Sequence, residues 1–172
     1  PTTLVMAEGE IAYAPRTANY HYEMELVFAL NSGGKDISQD DALSHIFGCA
    51  AGLDMTRRDL QNKAKENRKP WDTAKDVDES AVITPLRQMS EVPSVASGRI
   101  HLSQNGTVKQ DADLSEMVWS VPEIIADLST MYTLQQGDVI YMGTPAGVGA
   151  VSRGDVLTGG VEGIGDFEVK IA

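Results

Sequence analysis

Two acids stand two residues apart in YHYEMELVF, residues 20 to 28: Glu23 and Glu25. Side chains alternate along a strand, so this segment puts Tyr22, Met24, Leu26 and Phe28 on one face and His21, Glu23 and Glu25 on the other. Like charges side by side repel, and carboxylates are poor strand formers. Alone, such a pair reads most simply as a solvent-facing edge. Two further features favour chemistry. The segment is otherwise apolar, as a central strand is, and a third acid, Asp54, ends FGCAAGLD (47 to 54), which reads as a second buried strand. An acid on a strand lined by Ala and Gly is costly to bury unless it is paired or metal-bound. Three carboxylates converging at strand ends suit a hard, oxygen-preferring divalent cation, Mg²⁺ or Mn²⁺, with positions left for water and substrate.

Other candidates surround these acids. In DMTRRDLQ, Asp54, Arg58 and Gln61 have the i, i+4, i+7 spacing of one helix face. Beside a metal, the Arg58 guanidinium and the Gln61 amide can hold a substrate carboxylate; the plainer alternative is a solvated helix whose arginines pair with nearby acids. Lys75, in PWDTAKDVD, can bring positive charge to a developing oxyanion, or is a surface lysine. MGTPAGVG (142 to 149) lacks GK[ST], misses GxGxxG and runs into more strand, so a nucleotide site is not expected. Its backbone N–H groups and the Thr144 hydroxyl can approach a small anion, or it is a structural turn. There is no GxSxG, and no histidine sits in a triad setting. Cys49, among small residues, reads as a buried side chain.

The elements that must position these groups follow from periodicity and punctuation. Residues 4 to 13 form short extended pieces around Gly9, and 20 to 30 form a strand. Ser38 caps a short helix. Residues 56 to 66 read as a helix capped by Thr56, and RIHLSQNGTVKQ as a hairpin turning at Asn105–Gly106. Ser120–Glu123 is a capping box; the helix after it turns Ile124, Ile125, Leu128, Met131 and Tyr132 toward a sheet. Glycine-separated strands complete the chain. The 172 residues suit one catalytic domain of α+β class, strand-dominated, with a rolled or barrel-like mixed sheet. A net charge of −11 argues against nucleic acid and anionic membranes as partners. The absence of a long apolar run or signal peptide, with a single cysteine, fits a cytoplasmic setting.

Taken together and in order, HYEMELVF, GLDMTRRDLQ, PWDTAKDVD, NG…KQ and GDVIYMGTPAGVG resemble the fumarylacetoacetate hydrolase family, and within it the small bacterial acylpyruvate hydrolases. The resemblance implies the family's mixed β-roll and a homodimer. It implies Glu23, Glu25 and Asp54 as ligands of Mg²⁺ or Mn²⁺, Arg58 and Gln61 as substrate-binding residues, and Lys75 and Thr144 as catalytic ones. The implied substrate is a small-molecule 2,4-diketo acid such as fumarylpyruvate, cleaved to pyruvate and a carboxylic acid in aromatic catabolism. The same chemistry would serve oxaloacetate decarboxylation or an enolate-forming isomerisation; outside enzymes, the chain would be a lidless oligomeric domain that binds metal and small acids. Two positions depart from the family pattern: Met142 stands where Thr precedes Gly-Thr-Pro, and Asp76 follows the lysine. The family's upstream lid motif has no counterpart here, so residues 1–172 are expected to lack that short N-terminal segment. A dianionic substrate would need cations, and Arg57, Arg58 and Lys75 are the candidates.

Overall fold

Small and apolar residues in alternation dictate a strand-rich architecture, and the computed structural model, which describes residues 2–172, has one. In chain order come β1 (Leu4–Met6), β2 (Glu10–Ile11), β3 (Tyr20–Tyr22), β4 (Met24–Leu30), α1 (Gln39–Ala42), β5 (Ile46–Asp54), β6 (Thr56–Arg57), α2 (Arg58–Glu66) and α3 (Asp72–Lys75). They are followed by β7 (Ala81–Ile83), β8 (Arg87–Gln88), β9 (Arg99–Gln104), β10 (Thr107–Asp113), α4 (Val121–Met131), β11 (Val139–Tyr141), β12 (Gly149–Ala150), β13 (Val156–Val161) and β14 (Gly165–Ile171). One sheet runs β1-β7-β5-β4-β11, with β8 also on β5; a second runs β10-β9-β13-β14-β2; a third joins β12, β3 and β6. β1 with β7 and β14 with β2 pair parallel, while β4 with β5 and β13 with β14 pair antiparallel, so the sheets are mixed as expected. Among the described residues, no helix is long and apolar enough to cross a membrane.

β4 and β5 form the centre. Every residue of Met24–Leu30 is buried. Leu26 and Phe28 join Cys49, Ala51 and Leu53 of β5 in the main core, with Leu102 and Leu157 of the second sheet. On the opposite face, Val27, Ala50 and Ile83 pack with Val139 and Tyr141. A strand buried on both faces is not a solvent edge, so the edge reading of Glu-x-Glu fails here. Each large apolar side chain buried in this way contributes about 1.5–3 kcal/mol.

Three local expectations are corrected. The strand over 20 to 30 is two strands broken at Glu23, because β3 pairs with β6 and β12 in the small sheet while β4 pairs with β5 in the large one. Helix α2 begins at Arg58; Thr56 and Arg57 pair with His21 and Tyr20 as β6, so Thr56 caps nothing. In α4 the capping box is present and Ile125 is buried, with Ile124 and Leu128 partly buried against the same core as expected; Val121 and Ser129 are also buried. Met131 and Tyr132, at the end of the helix, are exposed. The hairpin turns as expected, with positive φ at both Asn105 and Gly106. Its second strand carries a bulge between Val108 and Gln110.

Candidate active site

The register of β4 on β5 brings the acids together. Met24 faces Leu53 and Glu25 faces Gly52, so Asp54, one residue on, lies beside Glu23. The Asp54 N–H donates to the Glu23 carbonyl at 2.9 Å, which fixes the strand break against the end of β5. Glu23, Glu25 and Asp54 each offer a carboxylate oxygen, all within 4.8 Å of one another. Gly52 is required opposite Glu25: a Cβ there would meet the Val82 carbonyl and a Val27 methyl, each at 2.7 Å.

Three carboxylates this close to one another, two of them buried, perturb each other. Burial, then the Asp54 charge, push Glu25 up to about 8, against a hydrogen bond from the Gly143 N–H at 2.6 Å. Burial also raises Asp54, although Lys75 opposes it. Burial would raise Glu23 too, but the bonds and charges of Lys75 and Arg58 outweigh it and hold this carboxyl below its usual range.

The two cations converge on the same acid. Lys75, partly buried at the end of α3, donates to Glu23 Oε2 at 2.7 Å, to the Thr56 hydroxyl at 2.8 Å and to Asp54. It is therefore not a surface lysine, and Asp76 beside it is exposed. Arg58 donates to Glu23 Oε1 through Nη2 and to Gln61 Oε1 through Nη1 at 2.6 Å. Gln61 is itself buried. His21 uses both ring nitrogens, Nε2 on Asn19 Oδ1 at 2.8 Å and Nδ1 toward Arg58 Nε at 3.5 Å. Burial, then the Arg58 charge, lower its pKa.

Arg57 is not available to a substrate. Its guanidinium is buried and donates to the carbonyls of Pro15, at 3.2 Å, and Thr73, thereby pinning the helix that carries Lys75. Arg57→Met is expected to cost about 2 kcal/mol of stability, since two part-buried hydrogen bonds from a charged donor are lost. A urea melt reads this directly; an unchanged midpoint would show that Arg57 holds nothing.

Thr144 stands on the loop after β11. Gly143, at φ +94°, aims its N–H at Glu25, so the anion this loop meets is one of the protein's own carboxylates. The Thr144 hydroxyl accepts from Gln110 Nε2 at 2.8 Å. All seven predicted site residues thus lie in one neighbourhood. Sequence reasoning missed two participants: Thr56 as a partner of Lys75, and Gln110, whose only signal was the NG…KQ motif, which named no role. The Gly143 N–H belongs to the loop whose N–H groups are expected near an anion, but Glu25 was not foreseen as its partner.

The donor set fits a hard divalent cation. It is all oxygen, and its three carboxylates outnumber the two cations, Lys75 and Arg58, that reach them. A cavity of about 580 Å³ adjoins the Thr144 loop, but it meets β4 at Leu26, on the face opposite Glu25, and is not the acid cradle.

Residues 1–172 match the protein family described as fumarylacetoacetate (FAA) hydrolase C-terminal. The chain is 52% identical to the fumarylpyruvate hydrolase of Ralstonia sp. over 171 residues, covering 99% of this chain and 88% of that protein. It is 33% identical to the mitochondrial oxaloacetate tautomerase of Bos taurus, over 99% of this chain and 78% of the relative. A solved structure of fumarylpyruvate hydrolase from Pseudomonas aeruginosa, in complex with Mn²⁺ and pyruvate, superposes with a TM-score of 0.96 at 41% identity, covering 99% of this chain and 75% of that one.

Proposed function

The chain belongs to the fumarylacetoacetate hydrolase family, and we infer that within it this protein is a divalent-metal hydrolase of acylpyruvates such as fumarylpyruvate. The observation that carries the reading is the convergence of Glu23, Glu25 and Asp54 with Lys75 and Arg58 on one side. In this reading the three carboxylates hold Mg²⁺ or Mn²⁺. When bound, that ion polarises the keto acid and stabilises enolate charge. Arg58 and Gln61 bind the substrate carboxylate and orient the diketo chain. Water adds to the distal acyl carbon, and the bond from that carbon to the methylene breaks. Its electron pair leaves as pyruvate enolate, which takes a proton at carbon; the acyl group leaves as a carboxylic acid.

Lys75 and Thr144 donate to the oxyanion formed at the acyl carbon. All three Lys75 donors are engaged, so one must be released. The neutral Thr56 hydroxyl is the weakest of its three acceptors, the other two being carboxylates. The homodimer and the place in aromatic catabolism belong to the same reading and rest on the family resemblance; the cytoplasmic setting rests on the sequence features, the single cysteine first.

The likeness to an oxaloacetate tautomerase supports a second reading, in which the site makes an enolate of oxaloacetate and leaves the carbon chain whole or decarboxylates it. Product analysis separates the two. With fumarylpyruvate and Mn²⁺, the expected products are pyruvate and fumarate, at kcat/KM at least ~10-fold above turnover of oxaloacetate. Chelation is expected to stop the reaction and Mn²⁺ to restore it. Turnover of oxaloacetate alone, or cleavage indifferent to chelator, would sink the proposal.

A further inference from the structure

We propose that Gln110 is a positioning residue that sets the polarity of the Thr144 hydroxyl and so makes it a hydrogen-bond donor to the reacting oxygen. The inference rests on the reading that Thr144 serves the oxyanion.

Gln110 is completely buried on an otherwise largely exposed stretch of β10. The bulge at Lys109 puts two residues of β10 against one of β9, and Gln110, just after it, lies opposite the buried Leu102. Its amide makes three bonds. Oε1 accepts from the Met24 N–H at 3.0 Å, and Nε2 donates to Thr144 Oγ1 and to the Pro145 carbonyl, both at 2.8 Å. Backbone chemistry fixes the orientation of this amide. Met24 N–H can only donate and Pro145 C=O can only accept, so a flipped amide would face donor with donor and acceptor with acceptor.

The consequence falls on Thr144. Both Nε2 protons are committed, one of them to a lone pair of the hydroxyl. Gln110 offers no acceptor in return, so the Thr144 proton points elsewhere. The hydroxyl therefore meets an incoming oxygen with its proton kept off the Gln110 side and available to donate, in one of two remaining directions in place of three. The same amide holds the loop to the strand between the two glutamates, because Met24 lies between Glu23 and Glu25. A second tie, Gly143 N–H to Glu25, runs parallel to it.

A double-mutant cycle in the Mn²⁺-loaded enzyme tests this. Thr144→Val is expected to lower kcat ~100-fold, in the range for one lost oxyanion donor. Gln110→Met, which frees the hydroxyl to rotate, is expected to lower kcat ~10-fold. Gln110→Glu, nearly isosteric but able to accept the Thr144 proton, is expected to lower it at least ~30-fold. In each single variant KM and the Mn²⁺ dissociation constant, read by electron paramagnetic resonance, are expected to stay within about threefold. In the Thr144→Val background, Gln110→Met is expected to cost under ~2-fold, since no hydroxyl is left to orient. A full ~10-fold loss in that background would overturn the inference and make Gln110 a packing residue, as would a fall in Mn²⁺ affinity that tracks kcat. If Thr144→Val alone leaves kcat intact, the role assigned to Thr144 fails first, and the inference with it. Should Gln110→Glu not fold, Gln110→Met carries the cycle.

Discussion

Glu25→Gln is expected to leave the fold standing and to remove cation binding. With burial pushing Glu25 up to about 8, the metal-free protein carries this carboxyl largely protonated at neutral pH. Glutamine then replaces a neutral acid, and its Oε1 can still accept from Gly143. The metal-free variant is expected to melt within about 3 °C of the parent at about pH 5, the equivalent of roughly 1 kcal/mol in a chain of this size. Mn²⁺ affinity is expected to fall at least ~100-fold and kcat/KM by about 10³, or roughly 4 kcal/mol of transition-state stabilisation. The pH dependence has a definite sign. In the unfolded chain Glu25 ionises near 4.5, and in the fold near 8, so its contribution to stability is complete below the lower value and is lost as pH rises to the upper one. Glutamine has no such loss, so the variant is expected to gain on the parent as pH rises through this window and to be the more stable of the two metal-free proteins already at neutral pH. Melts of chelated protein from about pH 5 to about pH 9, with calorimetric Mn²⁺ titrations, check each part. Unchanged Mn²⁺ affinity would remove Glu25 from the ligand set.

Lys75→Gln is expected to separate charge from ligation. The ammonium shares Glu23 and Asp54 with any cation bound there, so its loss relieves a competitor. Mn²⁺ affinity is expected to hold or to rise a few-fold, while kcat falls by roughly 10²–10³ at saturating Mn²⁺, the usual cost of one lost oxyanion donor. Lys75→Arg is not expected to restore turnover, because a planar fork cannot reach three acceptors arranged around a compact ammonium. Some stability is also lost, about 1–2 kcal/mol after allowing for the partial exposure of this pair. A parallel collapse of Mn²⁺ affinity and kcat would reduce Lys75 to a counter-charge for the acids.

The parts of the site that were legible in the sequence share a cause. Glu23, Glu25 and Asp54 interrupt apolar strands, and an ionised group in such a place demands an explanation before any fold is known. The break at Glu23 was not legible. Apolar alternation runs through it with neither glycine nor proline, and only the partners of each half, Arg57 for Tyr20 and Leu53 for Met24, divide it. Thr56 looked like a helix cap because a threonine precedes a run of good helix formers; the pairing of β6 with β3 decided otherwise. Arg57 and Arg58 are neighbours of one type with opposite fates, set by the hand-over from β6 to α2, which buries one guanidinium on backbone carbonyls and leaves the other at Glu23. Gln110 could not have been assigned from pattern alone. Its partner Met24 lies 86 residues away, on a strand that nothing in the local pattern of β10 points to.

Gly52 has a consequence for anyone who would redesign this enzyme. The wall opposite Glu25 has no spare volume, since even a methyl would displace Val82 or Val27. Tyr141, whose hydroxyl holds the Val82 carbonyl at 3.0 Å, closes the same space from the β11 side. Libraries aimed at new substrates will therefore yield mostly misfolded clones if they diversify β4 and β5, even though these strands carry the acids. In the proposed reading the positions assigned to the substrate lie outside these two strands, at Arg58 and Gln61 on α2 and on the loop around Thr144.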